Sequence, residues 1–200
     1  PKRVHWDKAI CCADEIRNTK GNKLTDEYSI ENLPYKIAVL CYLYDADNRL
    51  LLLHRNKDPN KGKYSPIGGK LEASIGESPH ACAIREIHEE SGVVVEPCDI
   101  RLSGMLAETA YSGDTHWLVF LYEVTRAVCT SEITSLEIDE GTLEWIDIEE
   151  VETKNIPTTD RDIIWPLVKQ HRGGFFAVDI DCKQEPFSWV IKEEWKATDV

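Results

Sequence analysis

Positive charge is scarce in this chain: 23 Lys and Arg stand against 36 Asp and Glu, which leaves a formal net charge of −13 and a pI near 4.9. That balance argues against a broad basic surface for a nucleic-acid polymer or an anionic membrane. An anionic small molecule would need a metal ion or a local basic pocket. Apolar runs are short, none approaching the ~20 residues of a spanning helix, and the opening "PKRVHWDKAICCADEIRN" is charged throughout where a signal peptide has an apolar centre. Cys-x-x-Cys pairs are absent. The seven cysteines (Cys11, Cys12, Cys41, Cys82, Cys98, Cys129, Cys182) are odd in number and scattered, and no histidine falls at ligand spacing from a cysteine pair. That argues against a disulfide framework and against zinc, and reduced thiols in a cytoplasmic protein are the expectation. There is no repeat, low-complexity tract or break in composition, so the 200 residues suit one core with an extension.

What is present reads as an α+β domain. Trp6, Ile10, Ala13 and Ile16 recur at helical spacing, which predicts a short helix over 4–18 within an N-terminal extension, residues 1–34. "KIAVLCYLY" (36–44) and "RLLLLHR" (49–55) predict strands forming a hairpin across the "DADN" turn. The basic loop "NKDPNKGK" leads into a short strand, "YSPIGGK". Strands are expected within 93–111 and 115–128, joined by "SGD", and again at "GTLEWIDI". A helix is expected within Thr158–Arg172, with Pro166 near its start or kinking it, followed by a closing hairpin from "GGFFAVDIDC" and "PFSWVIKEEW".

The most informative stretch is "PIGGKLEASIGESPHACAIREIHEESGVV", Pro66 to Val94. Ser78 can cap a helix, Pro79 suits its first turn, and Gly92 stops it. On that helix Glu86, Glu89 and Glu90 project from one side, while Ala83, Ile84 and Ile87 form an adjoining apolar side. Like charges at these spacings cost a few tenths of a kcal/mol per pair unless something cationic offsets them. A hard divalent ion does so, since Mg²⁺ takes oxygen ligands and commonly bridges carboxylates to phosphates. Lys70 and Arg85 can orient the carboxylates or contact phosphate.

These residues resemble the Nudix box of the MutT-like hydrolases: Gly, five residues, Glu, seven residues, Arg-Glu, an aliphatic, any residue, Glu-Glu, any residue, Gly, an aliphatic. Gly69, Glu77, Arg85, Glu86, Ile87, Glu89, Glu90, Gly92 and Val93 match in order, except that seven residues, "KLEASIG", separate Gly69 from Glu77. Weaker similarity over 36–195 points to the oxidised-purine nucleoside triphosphatase branch and places Glu140, in "EIDEGTLEW", where those enzymes have a further acid. The resemblance implies a Nudix fold over residues 35–200, an α/β/α sandwich around a central mixed β-sheet, with the C-terminal hairpin included. It further implies a Mg²⁺- or Mn²⁺-dependent pyrophosphohydrolase acting on a nucleoside triphosphate or another nucleoside diphosphate derivative.

By the same resemblance Glu86, Glu89, Glu90 and Glu77 are the metal-binding set, Glu77 standing near the cluster of the other three, and Arg85 orients a glutamate. Water attacks phosphorus, with Glu89 or Glu140 as the base. Gly68 and Gly69 turn the backbone beside the phosphates, and Lys70, Tyr64 and Ser65 join them as substrate-contacting residues, with Trp117 a second candidate for stacking. Where the oxidised-purine branch uses an asparagine and a pair of aspartates, this chain has Ser65, Ile156, Thr158, Thr159 and Asp160, so 8-oxo-dGTP is only one substrate among several. His54, Arg55, Lys57, Lys61 and Lys63 form the one basic stretch; His80 and His88 are placed on the exposed helix side. The expected partner is a small nucleotide-like molecule, with neither nucleic-acid polymer nor membrane, and a homodimer is allowed. The rival readings are a catalytically silent Nudix nucleotide sensor or partner-binding module, whose sign would be lost box carboxylates, and an isopentenyl-diphosphate isomerase-like enzyme, whose cysteine–glutamate pair Cys82 does not resemble.

Overall fold

The computed structural model describes residues 35–58 and 60–197, so the extension 1–34 and its expected helix lie outside the described residues. Among the described residues nine strands form two sheets. β1 (Tyr35–Tyr42), β5 (Thr115–Val124), β4 (Ile100–Ser112), β8 (Phe175–Asp181) and β9 (Ser188–Trp195) lie side by side in that order. β1–β5 and β4–β8 pair in parallel while β4–β5 and β8–β9 pair antiparallel, so this sheet is mixed. β3 (Tyr64–Ser65), β2 (Arg49–Arg55), β7 (Gly141–Asp147) and β6 (Glu137–Ile138) form an antiparallel second sheet.

Strand alternation sorts the core into two layers. Val39, Cys41, Leu43, Leu51 and Leu53 pack with Cys82, Ala83 and Ile87 of helix α1 (Pro79–Ser91). Tyr42, Tyr44, Leu50 and Leu52 pack instead with Trp165, Leu167 and Val168 of helix α2 (Trp165–Gln170). Because successive side chains leave a strand on opposite faces, "AVLCYLY" and "LLLL", apolar throughout, supply both layers at once. The expected α/β/α sandwich is the result.

Two expectations are corrected and a third is refined. β1 and β2 form a hairpin only beside its turn, where Asp45 N–H donates to Arg49 O at 3.0 Å and Leu51 N–H to Leu43 O at 2.9 Å. Beyond it the strands part into different sheets, because β1 pairs along its length with the distant β5. The strand expected from Val93 begins at Ile100; Pro97 lies in the turn before it and has no N–H for a ladder. The helix expected within Thr158–Arg172 is present from Thr158 to Gln170, but after Thr159 it widens into one π-helical turn, Asp160–Ile164, and returns to α-helix at Trp165. Pro166 lacks an N–H and its ring crowds the carbonyl four residues back, which favours a widened turn there.

Candidate functional site

α1 begins and ends as its local chemistry dictates. The Ser78 hydroxyl accepts the Ala81 N–H at 3.1 Å, and Gly92 closes the helix in the left-handed region at φ 77° while donating to His88 O. The face built from Glu86, Glu89 and Glu90 lies against the Gly68–Gly69 turn. Gly68 N–H donates to Glu90 Oε2 at 3.1 Å. A Cβ on Gly69 would fall 2.2 Å from Glu86 Oε1, and one on Gly68 would fall 2.1 Å from the Val39 carbonyl oxygen. Both glycines are therefore required by close approach, of carboxylate in one case and backbone in the other.

The two extra residues in "KLEASIG" are accommodated by a single 3₁₀ turn, Ala73–Ile75, closed by Gly76 at φ 71°. Glu72 and Glu77 clasp across it, with Glu72 N–H donating to Glu77 Oε2 at 2.8 Å and Glu77 N–H to Glu72 O at 3.3 Å. The insertion thus loops out and returns Glu77 to the helix. There Arg85 Nε donates to Glu77 Oε1 at 2.8 Å and its Nη2 to Glu77 Oε2 at 2.9 Å. The same guanidinium reaches Glu86 Oε1 at 2.7 Å, Glu89 Oε2 at 2.9 Å and the Lys70 carbonyl at 3.3 Å. Three carboxylates converge on one cation.

The acids respond differently to this environment. The Arg85 guanidinium, helped by the Glu72 N–H, holds Glu77 down at about 2 although burial opposes it. Burial raises Glu86, with Arg85 offsetting part of the effect. Burial pushes Glu90 up to about 7; Gly68 N–H and Arg55 oppose this, while Glu86 and Glu140 add to it. Glu140 itself lies in the turn between β6 and β7. Glu140 also lies 4.0 Å from Lys57 Nζ, and its carbonyl accepts from Asn56 N–H at 2.8 Å.

The structure therefore brings Glu77, Arg85, Glu86, Glu89, Glu90, Glu140, Gly68 and Gly69 together. The Lys70 side chain is exposed, and what it contributes among these interactions is its carbonyl. Tyr64 and Ser65 face a separate cleft on the α2 side, lined also by Ile156, Asp160 and Trp165. The Tyr64 ring stacks on His54 at 4.5 Å between centroids, and its hydroxyl donates to the Glu144 carboxylate at 3.1 Å. His88 is exposed, whereas His80 is half-buried, edge-on to Tyr122 at 5.6 Å.

Among the described residues no three His, Cys, Asp or Glu side chains enclose a metal site as they stand. The donor set nevertheless suits a hard cation: carboxylate oxygens, two of them desolvated and mutually repelling, gathered where an arginine already supplies positive charge.

Residues 34–165 match the NUDIX domain family model. The chain belongs to that family. With every box carboxylate present, it is a Nudix hydrolase. It is 28% identical over 134 residues to the "Uncharacterized Nudix hydrolase YvcI" of Bacillus subtilis, covering 65% of this chain and 77% of that protein. Its fold is similar to that of a MutT protein from Bacillus halodurans, with a TM-score of 0.62 and 24% identity over 78% of this chain and 97% of the other. It is also similar to a bifunctional NMN adenylyltransferase/ADP-ribose pyrophosphatase from Francisella tularensis, solved with AMP and manganese. There the TM-score is 0.53 and the identity 22%, over 68% of this chain and 42% of the other.

One buried acid escaped sequence reasoning. Glu108 lies in β4, within "MLAETAY", and is only 6% exposed. Its signal was a carboxylate at an inward position of an otherwise apolar strand, visible only once the strand's facing is known.

Proposed function

We propose that this Nudix hydrolase is a Mg²⁺- or Mn²⁺-dependent pyrophosphohydrolase of a nucleoside triphosphate or another nucleoside diphosphate derivative. The observation that carries the reading is the convergence of Glu77, Glu86 and Glu89 on Arg85, with the desolvated Glu90 held at Gly68. Glu86, Glu89 and Glu90 would hold the metal. When bound, it neutralises phosphate oxygens and lowers the pKa of water. Glu77, with both oxygens engaged, acts as a brace that sets the Arg85 guanidinium rather than as a ligand.

The chain's own groups do the remaining work. Gly68 orients Glu90 through its N–H, and the absence of a side chain at Gly69 leaves room for Glu86. Removal of the water proton falls to Glu89, on the exposed rim of α1, or to Glu140, which faces Glu90 from the β6–β7 turn. Lys57, near Glu140, and Arg55, whose charge reaches Glu90, add local positive charge for phosphates on an acidic protein.

The known ligands of the similar proteins, AMP and manganese in one case, support a nucleotide-like substrate and a divalent ion. An 8-oxo-dGTP-like substrate follows only from the MutT likeness, and the substitutions at Ser65, Thr158 and Thr159 favour a different ring or a different derivative. The five cysteines of the described residues are all free, which fits a reducing cytoplasm. The exposed edge of β9 leaves room for a homodimer.

The test is turnover on a panel of nucleoside triphosphates, dinucleotide polyphosphates and nucleotide sugars, followed by Glu89→Gln and Glu90→Gln on the best substrate. Each substitution should lower kcat by orders of magnitude in a folded protein, and chelator should abolish activity. Wild-type rates in either variant would sink the assignment. Tight binding without turnover across the panel would instead favour the sensor.

A further inference from the structure

The two faces of the five-stranded sheet are covered unequally. On the α2 face the inward residues of the middle strands, Leu106, Val119, Val178 and Ile180 among them, are at most 6% exposed. On the opposite face α1 covers only one part, where Val39, Cys41 and Tyr122 join its core. Beyond it, Ile37 of β1 neighbours Leu118 of β5, which neighbours Ala107 of β4, while Phe120 of β5 neighbours Met105 of β4, which neighbours Ala177 of β8. The middle-strand members of these rows are only half-buried. At the two edges of the same face Tyr35 and Ile37 of β1 are 45% and 40% exposed, and Val190 and Trp195 of β9 are 49% and 50% exposed. Four of the eight exposed large hydrophobic residues among those described therefore share one face of one sheet.

A contiguous apolar surface of this kind marks a contact site. The chain supplies an occupant for it. Tyr35, where the described residues begin, lies on this face, so the segment 1–34 joins the domain at the face's own edge. Within that segment Trp6, Ile10, Ala13 and Ile16 recur at helical spacing, an apolar stripe that needs a surface to bury it. The dimensions agree. Residues 4–18 as a helix would measure about 22 Å at 1.5 Å per residue, and four strand spacings of about 4.8 Å make the sheet about 19 Å wide. The connector, residues 19–34, can span about 50 Å when extended, well beyond that width. We propose that residues 4–18 lie across the uncovered face from β1 to β9, with the stripe of Trp6, Ile10, Ala13 and Ile16 against Leu118, Met105 and Ala177.

The far edge of the face favours a covering helix over a strand added from a second copy. β9 carries Lys192, Glu193 and Glu194 in succession beside the register shift at Ala177 and Val178, and Lys192 Nζ lies 3.2 Å from Asp179 Oδ2. Charges and a bulge on an outer strand oppose edge-to-edge pairing, whereas a helix laid over the face needs no free backbone groups. The near edge adjoins the box. Leu71 N–H donates to Ile37 O at 3.1 Å and Ala38 bridges Lys70, so a segment seated over Ile37 borders the loop between Gly69 and Glu77.

The test is photocrosslinking in the full chain with p-benzoylphenylalanine in place of Trp6, followed by peptide mapping. Met105, the single methionine of the sequence and a favoured target of benzophenone, or its neighbours in β5 and β8, should be labelled in a product of monomer mass. Hydrogen exchange read by mass spectrometry supplies a second measurement. The amides of residues 4–18 should exchange at least tenfold faster in the double variant Ile37→Glu/Val190→Glu than in wild type. Both positions are exposed on edge strands, so the variant keeps its fold. Absence of a crosslink on this face, crosslinks there only in covalent dimers, or equal exchange in wild type and variant would overturn the inference.

Discussion

Glu77→Gln separates bracing from metal ligation. Holding the Glu77 carboxyl at about 2 instead of 4.5 corresponds to about 3 kcal/mol in favour of the folded, ionised form. Glu77 is 7% exposed but Arg85 is 24% exposed at the helix rim, so solvent screening reduces the expected contribution to about 1–2 kcal/mol. The sign follows from the depressed value. The contribution is complete above the unfolded carboxylate's 4.5 and disappears as pH falls toward 2. Urea unfolding should therefore find Glu77→Gln about 1–2 kcal/mol less stable than wild type at pH 7, with the two curves converging near pH 2–3. Mn²⁺ affinity, measured by paramagnetic resonance, should change little in Glu77→Gln and fall more than tenfold in Glu86→Gln. Equal stability at pH 7 would refute the bracing calculation, and an Mn²⁺ loss matching that of Glu86→Gln would make Glu77 a ligand.

Three further outcomes follow from the same geometry. Gly69→Ala should cut kcat by about a hundredfold or more, because its Cβ meets the Glu86 carboxylate 2.2 Å away, whereas Gly68→Ala should mainly lower the melting temperature because its Cβ meets backbone. Glu90, raised to about 7 by burial, destabilises the metal-free fold as pH rises from 4.5 through 7. Added Mg²⁺ should therefore raise the melting temperature more at pH 8 than at pH 5.5, and an equal rise at both would contradict the assignment of Glu90 to the metal. Ser78→Ala should cost about 1 kcal/mol through loss of the cap on Ala81 N–H, read as a shift in the urea midpoint at unchanged slope.

Much of the fold was legible because its signals are local. The β2 strand, the start and stop of α1 and the closing hairpin each rest on residues adjacent in the chain. The partners of β1 were not legible: a run apolar on both faces announces burial on both sides without naming its neighbours, and β5 is far away in sequence. The π-helical turn was hidden for a related reason, since Pro166 signals a disturbed helix but packing against the sheet decides how the backbone yields.

The box carboxylates were readable because helical spacing alone brings Glu86, Glu89 and Glu90 to one side. Where Glu77 and Glu140 stand was not, since one returns through an inserted loop and the other arrives on a turn between two strands. By itself the sequence determined the family and the gathering of carboxylates along α1, both of which follow from residue types at fixed spacing along one helix. Tertiary structure alone decided that Glu108 and Asp160 share a buried neighbourhood and that Ser65 faces it. Burial and long-range proximity depend on which faces of distant strands meet, and no local period records that.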